Sequence, residues 1–100
     1  MRVGDKLEQE AREVGAWLRE HADEFAPLQI RRVDPSLDSD DDGEPFIRLT
    51  VVLEDPEDPE EGWPLDSTTR LYRAVRDESA RLEHGMWAHV HLQSVSDEAA

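Results

Sequence analysis

Phe46-Ile47-Arg48-Leu49-Thr50-Val51-Val52-Leu53 sorts into two sets of alternating side chains. Ile47, Leu49, Val51 and Leu53 form one, and Phe46, Arg48, Thr50 and Val52 the other. Alternation of this kind predicts a β-strand over 46–53, with the wholly aliphatic set turned to a core. Upstream, Leu28 to Val33 is short and β-branched, and Asp34 and Pro35 carry turn chemistry, so a strand is expected over 28–33. The two strands pair as a hairpin through an acidic loop over 34–45.

Further out on the N-terminal side, Leu7, Ala11, Val14, Leu18, Ala22 and Phe25 recur at steps of three and four after a capping-box-like Asp5 and Glu8. A helix is expected over 5–25, stopped by Pro27, because the residue before proline is pushed out of the helical region. Gly15 costs about 1 kcal/mol relative to alanine inside a helix, and its presence marks a close approach to the sheet. His21, near the helix end, is expected to be a partly buried packing or capping residue.

On the C-terminal side an acidic, proline-containing loop covers 54–65. Asp66 or Ser67 then N-caps a helix over 67–84 with Leu71, Tyr72, Val75, Ser79 and Leu82 on one face and Gly85 as its C-cap. Residues 86–93 alternate again, Ala88, Val90 and Leu92 against Trp87, His89 and His91, and predict a third strand. Residues 94–100 are expected to fray. The resulting fold class is α+β, a two-layer αββαβ sandwich. A right-handed crossover between strands two and three puts both helices on one face of a three-stranded mixed sheet. The order is similar to that of KH-like RNA binders and of the cytoplasmic domains of cation-diffusion transporters, in topology alone: no GxxG loop occurs. One hundred residues suit a single domain, 1–100.

The charge is unevenly placed. Of 25 acids in the chain, 13 lie between Asp34 and Asp66 with Arg48 as the one base among them, a net −12; the other 67 residues, with 12 acids and ten bases, carry −2. A total of −14 repels phosphate backbones and attracts basic proteins and divalent cations. The expected partner is therefore a basic protein, without direct nucleic-acid binding. There is no cysteine, so disulfides and thiolate chemistry are excluded. The N-terminus opens without an apolar h-region and no run reaches the roughly 18 apolar residues of a spanning helix, so no membrane contact and a cytoplasmic location are expected.

Candidate sites follow from these placements. Asp40, Asp41 and Asp42 in the first loop, and Glu57, Asp58, Glu60 and Glu61 in the second, are expected to steer a basic partner. Trp63 is either its anchor or a lid over the base of the second helix. Two Glu-Asp-Pro copies in the second loop favour an extended, self-repelling segment. Phe46, Arg48, Thr50, Val52, Trp87, His89 and His91 make up the sheet face away from the helices, where the aromatics suggest a homodimer contact.

Asp38, Asp40, Asp42 and Gly43 spell the start of a calcium loop, with Glu44 as the next ligand, but Leu49 stands where the closing glutamate belongs. His89 and His91, with His84 one helix end away, have the spacing of a zinc or nickel pair. No cofactor is expected. The two acidic runs sit about 26 Å apart at opposite ends of strand 46–53. No nucleophile elbow, phosphate cradle or H-E-x-x-H occurs, so the expectation is a binding module and not an enzyme. Neutralisation of a basic toxin or nuclease, in the manner of small acidic antitoxins or of DNA mimics, is its concrete form; a metal-binding domain is the alternative.

Overall fold

A computed structural model describes residues 3–99. Helix α1 (Val3–Glu20) is followed by one 3-10 turn (Ala22–Phe25), strands β1 (Ile30–Ser39) and β2 (Pro45–Leu53), helix α2 (Leu65–Ala80), strand β3 (Ala88–Ser94) and a short helix α3 (Val95–Ala99). The sheet order is β1-β2-β3, with β1 antiparallel and β3 parallel to β2. This is the α+β sandwich expected from the alternation in 46–53, with that strand at its centre.

The aliphatic set of β2 makes the core. Ile47, Leu49, Val51 and Leu53 are fully buried, together with Val14 and Leu18 of α1, Leu71 and Val75 of α2, and Val33 of β1. Both long helices therefore cover the same face. Gly15 is where α1 meets the sheet: a Cβ placed there would stand 2.8 Å from Cγ of Pro35. The contact brings α1 down onto β1, and any larger residue would lift it.

Several boundaries move, each for a physical reason. The helix expected over 5–25 begins at Val3, so that Asp5 lies in its first turn, and tightens into the 3-10 turn at His21. Arg70 of α2 braces that turn through the carbonyls of Glu24 (3.1 Å) and Ala26 (3.0 Å). The strand expected over 28–33 runs instead from Ile30 to Ser39.

Asp34 and Pro35 do not end β1, and the register shows why. Trp87 accepts the N–H of Ile47, so by the alternation of a parallel ladder Ile47, Leu49 and Val51 bond toward β3. Leu49 is the partner of Pro35, which leaves the proline nitrogen facing outward on an edge strand, where it interrupts no ladder bond. The acidic loop expected over 34–45 accordingly shrinks to Asp40–Glu44.

Helix α2 starts at Leu65 without a side-chain cap from Asp66 or Ser67, and it stops at Ala80, short of 84. Gly85 then takes the left-handed conformation (φ +52°) and donates its N–H to Leu82, completing the turn into β3. The third strand is displaced from 86–93 to Ala88–Ser94. Of the tail expected to fray over 94–100, Ser94 closes β3 and Val95–Ala99 forms α3, while residue 100 lies outside the described residues. Helix α3 is pinned by Asp55, whose carboxylate accepts the backbone N–H (3.1 Å) and the hydroxyl of Ser96. Among the described residues no helix is long and apolar enough to cross a membrane.

Candidate functional site

The first acidic pole is a hairpin turn closed by its own aspartate. Asp40 Oδ1 accepts the N–H groups of Asp42 and Glu44, each at 2.9 Å, while Gly43 donates to the Asp40 carbonyl at 2.9 Å. Gly43 has φ +82°, a conformation that favours glycine. Asp38 lies on β1, bridged to Arg48 at 2.8 Å. Of the calcium-loop acids, then, Asp38 holds a guanidinium and Asp40 holds backbone. Their oxygens do not gather with Asp42 into a metal-ligating group among the described residues.

At the other end of β2, Glu54 pairs with Arg31 at 3.2 Å and Asp55 caps α3. Asp58 accepts the Glu60 N–H on its side chain and the Gly62 N–H on its carbonyl, each at 2.9 Å. The Glu-Asp-Pro segment is therefore turned back on itself, not extended. Trp63 donates its indole N–H to the Glu54 carbonyl at 2.9 Å and packs half-buried against the core. The polar edge of the ring is thus satisfied within the chain, as a lid requires. Leu65, 78 % exposed, and Trp63 line a groove of about 540 Å³ between the loop and Pro27–Gln29.

What the poles leave to solvent is consistent. Asp41, Asp42 and Glu44 at one end, and Glu57, Glu60 and Glu61 at the other, meet no base among the described residues. The nine residues of β2 keep the two groups roughly 30 Å apart. Among acidic groups, the Asp55 carboxyl is held below its ordinary value, first by the Ser96 hydroxyl and then by the Ser96 N–H.

The sheet face away from the helices is more polar than expected. The register sets Arg32, Asp34, Ser36 and Asp38 of β1 alongside Phe46, Arg48, Thr50 and Val52, and His89, His91 and Gln93 on the far side. Arg48 stands 5.8 Å over the Phe46 ring, and Val52 is already buried at the end where α3 packs against β2 and β3. Charged and polar side chains thus interleave with the aromatics on this face. Trp87 is 63 % exposed, but it precedes β3 and lies toward the sheet margin. His89 is the register partner of Arg48. His21 stacks on Trp17, with ring centroids 4.6 Å apart, and donates Nδ1–H to its carbonyl at 2.8 Å, so it both packs and caps.

One group was missed in the sequence. Glu10 is buried on the inner side of α1, and its carboxylate accepts the backbone N–H of His84 (3.1 Å) while pairing with Nδ1 of the same residue. With Glu83 these are the one set of described residues whose ligand atoms all lie within 4.8 Å of one another. Glu10 sits three residues after Leu7 and four before Val14, on the apolar stripe, and a carboxylate in that position was the available signal. His84 answers both of its oxygens, which ties the α2–β3 turn to α1. The fold and its surface define a small two-layer α+β domain with two acidic poles. The chain matches no protein-family model, no curated protein and no solved structure.

Proposed function

We propose that this protein is a non-catalytic interaction module that holds a basic protein through its two acidic poles. The observation that supports it is the set of six carboxylates that meet no base among the described residues, Asp41, Asp42 and Glu44 at one end of β2 and Glu57, Glu60 and Glu61 at the other. Asp40 and Asp58 shape the loops that present them. Carboxylates already paired within the chain have little to give a partner, whereas these lose only hydration and gain contact charge. Leu65 beside Trp63 supplies the apolar contact at the second pole. A neutralising partner of a basic toxin or nuclease is the concrete form, and two negative poles roughly 30 Å apart on a sheet suit imitation of DNA charge.

The test compares the native chain with two charge-neutral variants, Asp41→Asn/Asp42→Asn/Glu44→Gln and Glu57→Gln/Glu60→Gln/Glu61→Gln. A basic protein retrieved from the source lysate at low salt by the native chain should be lost from both variants, and should dissociate steeply toward 0.15 M salt. Competition by duplex DNA for that protein separates charge imitation from other contacts. Retrieval of the same proteins by all three chains, or of none, would end the proposal.

A further inference from the structure

The free edge of β3 is unguarded. Because Trp87 bonds to Ile47, residues 89, 91 and 93 turn their backbone groups to β2, and Ala88, Val90 and Leu92 turn theirs outward. No other backbone bond reaches those three among the described residues. The strand AHVHLQS has no proline, no Lys, Arg, Asp or Glu, and no bulge, the usual devices against strand addition.

Beside this edge lies a groove of about 570 Å³, bounded by Tyr72, Arg73 and Arg76 of α2 and by Trp87, His89 and Val90. No acid lines it. The side chains of Arg73 and Arg76 make no ion pair or hydrogen bond with the described residues, although acids outnumber bases 25 to 11 in the chain. Tyr72 and Trp87 are two of the three exposed large hydrophobic residues among those described. We propose that this groove receives an extended acidic peptide, which adds to β3 as a fourth strand.

Two arguments choose that occupant. The first is charge: an added strand turns one row of side chains toward α2, where Arg73 and Arg76 stand, and the alternate row toward Trp87 and His89. Acidic side chains in the first row would form charge-assisted bonds with the two guanidinium groups, and apolar ones in the second would cover Trp87. The second is width. Three strands about 4.8 Å apart carry two helices each about 10 Å across. With α1 seated on β1 at Gly15, α2 comes to lie over β3. A second copy pairing β3 with β3 would bring its own α2 within about 5 Å, closer than the 8–10 Å at which helices pack. A peptide without a helix meets no such obstacle. This surface is separate from the acidic poles, so the proposal stands or falls independently of the basic partner.

The test is a fluorescence-anisotropy titration of the full chain with labelled peptides of about ten residues. One alternates glutamate with valine, one carries lysine for each glutamate, and one carries a central proline. At 0.15 M salt the glutamate peptide should bind at least about tenfold tighter than either other peptide. Arg73→Glu/Arg76→Glu should invert the charge preference. Val90→Pro, which removes an outward N–H and no ladder bond, should weaken binding by about tenfold or more at unchanged melting temperature. Should that variant melt out, the arginine exchange decides alone. Equal binding of the glutamate and lysine peptides, or none at about 1 mM, overturns the proposal. So does a dimer in sedimentation that Val90→Pro dissociates without peptide, since the edge would then belong to a second copy.

Discussion

β1 and β3 border the same sheet, yet their outward groups meet different surroundings. On β1 the outward positions are Val33, Pro35 and Leu37, and Pro35 has no N–H to offer an incoming strand. Charged Arg32, Asp34 and Asp38 alternate with them, the register is broken near Arg31, and α1 presses on the proline at Gly15. On β3 the three outward residues are uncharged and uninterrupted, under two arginines whose side chains meet no acid among the described residues. The difference teaches that an edge is guarded by what sits at alternate positions, and that one proline at the right parity protects a strand without ending it.

The parity itself can be broken most severely at neighbouring residues of β3. His91→Pro removes an inward N–H and should cost about 3 kcal/mol in urea unfolding, whereas Val90→Pro should stay within about 1 kcal/mol. Equal losses would show that inward and outward positions are assigned wrongly. Next in size, Gly15→Val forces a side chain into the Pro35 ring and should destabilise by about 2 kcal/mol, part of which Pro35→Ala restores in the double variant. Additive losses would mean that α1 does not bear on the proline.

The smallest effect lies at the end of the β3 edge. The Asp55 carboxyl titrates lower in the folded chain than its ordinary 3.8, so its contribution is complete above that pH and disappears as pH falls through the lower folded value. Amide exchange at Ser96 should therefore rise below about pH 3.8. In Asp55→Asn it should be fast at neutral pH as well, with no such step. A step that survives in the variant would place the pin elsewhere.

Much of this was legible in the chain. The alternation in 46–53 identified the central strand, the apolar steps from Leu7 to Leu18 identified α1, and Gly15 announced a close approach to the sheet before its neighbour was known. What failed failed for want of long-range information. Pro35 reads as a terminator unless the strand is known to be an edge. Ser96 reads as tail until Asp55, 41 residues earlier, is brought to it. The bond from the Trp63 indole N–H to the Glu54 carbonyl, nine residues earlier, has no signature in the sequence. Glu10 and His84 are 74 residues apart, a separation no periodicity detects. The charged Asp34 and Asp38 that share the sheet face with Phe46 and Trp87 lie beyond the expected end of β1, so the polar part of that face was not legible.

The sequence by itself determined the segments, the two-layer class, the burial of one side of β2 and the segregation of negative charge, because each depends on spacing within a few residues or on composition. Only the tertiary structure decided which carboxylates are consumed at home, which sheet edge is bare and which arginines stand beside it. Those properties arise when β2 takes β1 on one flank and β3 on the other, and hydrogen-bond direction then alternates along each strand. A backbone group becomes available or satisfied according to a neighbour that the chain supplies from tens of residues away.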